Sequence, residues 1–218
     1  MNITISSGHG KYVPGAIGII NEVEEARRVT NRVAELLHQM GVAVNVFHDN
    51  NSRNQRDNIN TIVRHHNGQI RDLDVSVHFN AFSPTTSARG TEVLYRDSIT
   101  EKELAANVSK AIANAGGLRD RGAKLRTDLG FLNLTNRPSI LIEVCFVDSV
   151  EDVRLYQKNF EAICRAIAQT LSGQSYIKDL DIALKVLQTA GIINTPDHWR
   201  TQVEIGGVQF LLQNKYYQ

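Results

Sequence analysis

The stretch Ser139–Val147, "SILIEVCFV", decides the fold. Only a serine and one glutamate interrupt its apolar, β-branched run. Such a segment reads as a strand covered on both faces, the pattern of a central strand in a largely parallel sheet. Working outward, "NITIS" (2–6), "VAVNVF" (42–47), "LDVSVHF" (73–79) and "TEVLY" (91–95) read as further strands. Helical periodicity falls between them, over about Asn21–Met40, Ser52–Asn67, Thr100–Ala115 and Phe160–Leu171. In the first helix Ala26, Val29, Val33, Leu36 and Leu37 share one face, and Gly41 follows where a C-terminal stop belongs. Strands alternating with helices predict an α/β domain: a mostly parallel twisted sheet with helices on both faces.

That domain is expected to span residues 1–171. "SGQS" (172–175) reads as a linker. Residues 176–218 then form a small, mainly helical C-terminal domain, from the pattern "LDIALKVLQTAGI" with Gly191 as its stop, the turn "NTPDHW" and the segment "VQFLLQNKYY". About forty residues is near the lower limit for folding alone. The segment is expected to dock on the first domain, to pair with a second copy as a homodimer, or to be stabilised by a partner.

The chain has 218 residues, 42% hydrophobic and 22% charged, with a formal charge of +1. This is ordinary globular composition. It lacks the basic excess that phosphate-driven binding requires, so no nucleic-acid partner is expected. No apolar run has the length of a membrane span, and the N-terminus lacks the layout of a signal peptide. The expectation is cytoplasmic synthesis without membrane insertion. Cys145 and Cys164 make no disulfide framework and read as buried, inert thiols, with a nucleophilic Cys145 as the minor alternative.

Four polar groups fall at strand ends or adjacent turns. His9 sits between glycines in "SSGHGKYVPGAIG" (6–18), just after the first strand; Glu22 opens the first helix; His78 ends "LDVSVHF"; Glu143 lies inside the apolar strand. In open α/β sheets, ligands bind at the carboxyl ends of parallel strands, where distant segments converge. Two imidazoles and a carboxylate make a suitable zinc set, and a second carboxylate beside them can move a proton. His9, Glu22 and His78 are therefore candidate metal ligands and Glu143 the candidate general acid/base. Each also has a plain reading: a turn histidine, a carboxylate at a helix N-terminus, a hydrogen-bonded core histidine, a buried carboxylate paired with arginine. Spacing alone does not decide, because no HExxH pair places two ligands on one helix face. His65 and His66, adjacent on a helix, read as surface residues, and His38, His48 and His198 have no supporting context.

The same motifs resemble, in order, those of the Amidase_3 type of zinc-dependent N-acetylmuramoyl-L-alanine amidases, found in bacterial wall hydrolases and bacteriophage endolysins. "SSGHGKYVPGAIG" resembles that family's first-ligand motif, "NEVEEARRVTNRVAELL" its second-ligand helix and "SVHFNAF" its third-ligand strand. "RGAKLRTDLGFLNLTNRPSILIEVCFVDS" is similar to the closing motif that carries the catalytic glutamate. The resemblance implies Zn2+ held by His9, Glu22 and His78, with Glu143 passing a proton from water to the leaving amine. The implied substrate is bacterial peptidoglycan, cut between N-acetylmuramic acid and L-alanine of the stem peptide. The rivals are another zinc peptidase acting on the stem peptide and a non-catalytic wall-binding protein. Two positions depart from the pattern: Ser6-Ser7 replace an aspartate-proline, so support for the first histidine must come from elsewhere, and Cys145 replaces a glycine. The resemblance, with no leader read in the sequence, implies an endolysin acting on the wall after holin-type release, or a mother-cell lytic enzyme.

Arg119, Arg121, Lys124 and Arg126 in "LRDRGAKLR" read as a solvated loop, with contact to stem-peptide carboxylates as the alternative. The C-terminal segment resembles, through "VLQTAGIINTPDHW", a small wall- or spore-surface-binding module; dimerisation is the alternative.

Overall fold

In the computed structural model, residues 1–173, 184–195 and 198 are described. Along the chain run β1 (Asn2–Ser7), α1 (Glu22–Gln39), β2 (Ala43–Phe47), α2 (Gln55–Asn67), β3 (Leu73–Asn80), β4 (Thr91–Tyr95), α3 (Ile99–Gly116), β5 (Asp120–Leu125), α4 (Gly130–Leu134), β6 (Ser139–Phe146), α5 (Val150–Lys158) and α6 (Phe160–Ser172). The six strands form one sheet in the order β2-β1-β3-β6-β4-β5, which places the apolar β6 centrally. Every pairing is parallel except β4 against β6. The exception has a simple cause. A parallel return needs a long crossover, usually a helix, and the segment 81–90 between β3 and β4 contains none.

Side chains alternate across a sheet, and the two faces are covered unequally. On the major face Ile3, Ile5, Val75, Val77, Ile140, Ile142 and Val144 pack with Val29, Val33 and Leu37 of α1, Val108 and Ile112 of α3, and Ile163 and Ile167 of α6. On the minor face a smaller cluster joins Leu94 and Leu141 to Ile62 of α2 and to Phe131 and Leu132 of α4. His78, Glu143 and Glu92 have the strand parity of this thinly covered side.

Two expectations are corrected. "LRDRGAKLR" is not a loop: Asp120–Leu125 is edge strand β5, parallel to β4. Charged side chains on an edge strand discourage pairing with other chains, and they erase the apolar alternation by which a strand is read. His66 is not a surface residue. It is fully buried, with Nδ1 bonded to Asp74 at 2.7 Å and Nε2 to Ser6 at 3.0 Å. The acceptor-only carboxylate requires Nδ1–H to donate, so the Ser6 hydroxyl donates to Nε2. Ser6, His66 and Asp74 thus stand in the order of a hydrolase triad, yet all three are sealed from solvent and Ser6 cannot meet a substrate. The short helices α4 and α5 add to those expected from periodicity.

Both cysteines are buried and unpaired. Burial pushes the Cys145 thiol well up and Cys164 up to about 12, which removes the nucleophilic reading.

The chain divides into two units, Met1–Gly173 and Gln174–Gln218. In the second, residues 184–189 are helical and Gly191 has a φ of +70°. The expected start of that helix, half of "NTPDHW", all of "VQFLLQNKYY" and part of the expected linker lie outside the described residues. Among the described residues, no helix is long and apolar enough to cross a membrane.

Asp74 also accepts two bonds from the buried Arg71, at 2.6 and 2.9 Å. Removing one partner of a buried ion pair strands the other. Asp74→Ala is expected to lose about 3–5 kcal/mol in urea unfolding; a loss within error of zero would show that Arg71 finds other compensation.

Candidate metal centre

The carboxyl ends of β1 and β3 and the first turn of α1 meet at one place. α1 begins at Glu22 because the Asn21 side chain caps it, accepting a bond from the Val23 amide. The buried Glu22 carboxylate then points back. Its Oε2 accepts from the Ala16 amide at 2.6 Å, and its Oε1 accepts from the Phe79 amide at 3.1 Å. Two imidazoles flank it, with His9 Nε2 3.4 Å from Oε2 and His78 Nδ1 3.0 Å from Oε1. The rings of His9 and His78 stand edge to face, centroids 5.2 Å apart. Each of the three residues offers a ligand atom, all within 4.8 Å of one another.

This donor set suits zinc: two nitrogens and one carboxylate oxygen, leaving a fourth tetrahedral position open. The glycines show why the backbone here must lack side chains. A Cβ on Gly8 would lie 1.9 Å from Nε2 of His78, and one on Gly15 would lie 2.6 Å from Oε2 of Glu22 and 2.9 Å from the His9 ring. Neither glycine has a positive φ. They serve close approach rather than a tight turn.

The electrostatics are coupled. Burial opposes ionisation of Glu22, but the His78 hydrogen bond, both histidines and the Ala16 amide outweigh it, so its pKa lies below the usual carboxylate range. Burial also disfavours the charged form of His78, and Glu22, through its bond and its charge, outweighs it to raise the pKa. His9 is lowered, by burial and then by His78. Glu143 sits directly across from His78 in the β3–β6 register. Its Oε2 is buried and has no partner among the described residues. Burial pushes its carboxyl up to about 7, with Glu22 and Glu92 assisting and His78 opposing.

All four residues anticipated from sequence therefore converge. The departure at Ser6-Ser7 has a definite outcome. Ser6 bonds His66, and Ser7 bonds Nδ1 of His48 at 2.9 Å, while Nε2 of His48 bonds Asn31. These contacts anchor the strand beneath His9, whereas its buried Nδ1 has no partner among the described residues. His48 thus has a role that no sequence signal marks.

Sequence reasoning misses Glu92, and it marks Arg121 only as one of four basic residues whose alternative reading is contact with stem-peptide carboxylates. Glu92 is paired with Glu143 across β4 and β6. It accepts from Asn80 at 3.0 Å and from Arg121 Nε at 2.6 Å. Only the antiparallel register reveals it.

Residues 3–172 match the Amidase_3 family, described as N-acetylmuramoyl-L-alanine amidase. The chain belongs to this family. Amidase_3 proteins are generally zinc-dependent, and the His-Glu-His group fits that property. Among solved structures, the chain is similar to the catalytic domain of the CD27L endolysin targeting Clostridia difficile, with 26% identity and a TM-score of 0.71 over 78% of this chain and 96% of that one. It is also similar to the N-acetylmuramoyl-L-alanine amidase AmiC2 of Nostoc punctiforme, with 26% identity and a TM-score of 0.65 over 78% of this chain and 94% of that one. An uncharacterised Clostridium perfringens protein is 30% identical over 179 residues, covering 79% of this chain and 52% of the relative. The chain thus spans about half the length of the curated relatives it matches.

Gly15→Ala places a methyl group against Glu22 and His9. It is expected to weaken zinc binding about 10- to 100-fold, the range seen when ligand support is disturbed, measured by competition with a chromogenic chelator. Unchanged affinity would show that the loop relaxes and the close approach is dispensable.

Proposed function

We propose that this protein hydrolyses peptidoglycan at the amide joining the lactyl group of N-acetylmuramic acid to L-alanine of the stem peptide. One observation carries the reading. A three-donor group and an unpartnered buried carboxylate oxygen lie side by side at the sheet's carboxyl edge, in a chain of the amidase family. His9, Glu22 and His78 would hold zinc. When bound, zinc supplies Lewis acidity, which acidifies water and polarises an amide carbonyl.

The chain's own residues supply the rest. Glu22 fixes the two imidazoles relative to each other, and its backbone bonds to Ala16 and Phe79 keep its own rotamer fixed. Glu143 accepts the proton from water and returns it to the nitrogen of the departing alanine, as a positioned general base and then acid. Its backbone is held in register by Thr91, whose hydroxyl donates to the Glu143 carbonyl at 3.0 Å. Likeness to an endolysin catalytic domain supports action on the cell wall after release from the producing cell. We carry the segment 176–218 as a wall- or spore-surface-binding module that raises effective concentration, with dimerisation as the competing role.

Glu143→Ala is expected to lower lysis of purified walls by about 10²–10⁴-fold, the usual contribution of a general acid/base, while one zinc per chain remains bound. New L-alanine amino termini with an uncut glycan mark the amidase reaction. Release of other amino termini would identify a stem-peptide peptidase instead, and wild-type turnover by the variant would remove Glu143 from the chemistry. For the C-terminal module, the full chain is expected to sediment with purified walls more completely than residues 1–173; equal sedimentation would dismiss the tether.

A further inference from the structure

Four charged side chains stand in one row across adjacent strands of the minor face: His78 on β3, Glu143 on β6, Glu92 on β4 and Arg121 on β5. His78 and Glu92 are the register partners of Glu143 on either side. Arg121 joins the row through its 2.6 Å bond from Nε to Glu92. The first two members serve the proposed chemistry and the last two do not.

Arg121 is held at its neck and open at its head. Glu92 takes Nε, and the guanidinium lies over the Phe146 ring at 5.1 Å. Glu92 is itself buried and fixed by Asn80 on its other oxygen. The two terminal nitrogens of Arg121 bond to none of the described residues, and the side chain is 33% exposed. The neighbouring arginines differ. Arg126 is committed to Asp128 through Nε and a terminal nitrogen, at 2.7 and 2.8 Å, and Arg89 donates a terminal nitrogen to Ser83. Arg119 and Lys124 are exposed and lack such an anchor. A planar guanidinium fixed at one edge presents a ready fork to a carboxylate.

Distance selects which carboxylate. β5 lies two strands from β6, roughly 10 Å across the sheet, and the Arg121 side chain reaches back toward β6 to meet Glu92. An extended peptide advances about 3.4 Å per residue. A peptide whose first amide sits at Glu143 and which runs across β4 toward β5 would advance about 7 Å by its second residue, within reach of a guanidinium that extends back to Glu92.

We propose that Arg121, oriented by Glu92 and Phe146, is a specificity residue that binds the free α-carboxylate of the second stem-peptide residue. This rests on the amidase reading for the placement of the first amide at Glu143. Arg121 touches substrate but not the reacting atoms, and Glu92 positions it.

The test compares two ligand pairs that differ only by amidation of that carboxylate. The first pair, L-alanyl-D-isoglutamate and L-alanyl-D-isoglutamine, is titrated into the full zinc-loaded chain and followed by chemical shifts. The second pair carries the N-acetylmuramoyl group and is followed by turnover. The acid form is expected to bind about tenfold or more tightly than the amide, the scale of a charge-assisted bond, and to show a lower KM. Arg121→Gln is expected to bring both ratios to about one, Arg121→Lys to restore part of the preference, and Glu92→Gln to reduce it. An acid-to-amide ratio near one in the wild type, or a ratio unchanged in Arg121→Gln, overturns the proposal. A merely structural role would impair both ligands equally and leave the ratios intact, which overturns it as well. Absence of turnover on both muramoyl substrates would instead overturn the amidase reading, and the dipeptide titration would still decide the role of Arg121.

Discussion

A carboxylate 3% exposed at the start of a helix is tolerated only if its charge is answered on every side. Glu22 meets that condition with two backbone amides, one from its own loop and one from β3, and with two imidazoles, His9 from the same loop and His78 from β3. The helix N-terminus adds a favourable field. These contacts join the β1–α1 loop to the end of β3. The histidine pair, the close glycines and the entry of α1 all depend on them. Removing the carboxylate would unfasten three segments together.

The rest of the centre follows from unequal covering of the sheet. The major face is sealed by α1, α3 and α6, whereas the minor face has only α2 and the short α4. Polar side chains of the correct parity are therefore accessible at one end of the minor face and sealed at the other. At the sealed end, Asp74, His66 and Arg71 form a satisfied network that fixes β1 and β3. At the open end, Glu143 keeps an oxygen without a partner among the described residues. The same chemical types hold the scaffold at one end and are free to react at the other. The loops at the open end are bound to one another, with Thr85 and Ile19 donating to the carbonyls of Asp148 and Val147 at 3.0 and 2.8 Å.

Legibility in the sequence tracks periodicity. The helices over 22–39 and 99–116 and the strands β3, β4 and β6 are readable because one or both faces are uniformly apolar. β5 is not, because an edge strand with Asp120, Arg121 and Lys124 has no apolar alternation. His66 misleads because its adjacency to His65 suggests exposure. On α2 the two rings diverge, and His65 stacks on Phe47 of the edge strand β2 at 4.0 Å while His66 turns inward to bond Ser6 of β1 and Asp74 of β3. The four principal site residues stand out as polar groups at strand ends or in an apolar run. Glu92 acquires meaning only through the antiparallel β4–β6 register, and Arg121 is set apart from the other basic residues of its segment only by its bond to Glu92; local sequence encodes neither.

In the proposed centre, three side chains far apart along the chain share one ion beside Glu143. Anomalous diffraction at the zinc edge from crystals of the full chain tests it most directly. A single strong peak is expected about 2.0–2.2 Å from a ligand atom of each of His9, Glu22 and His78. A peak that excludes any one of the three, or zinc bound only elsewhere on the chain, would contradict it.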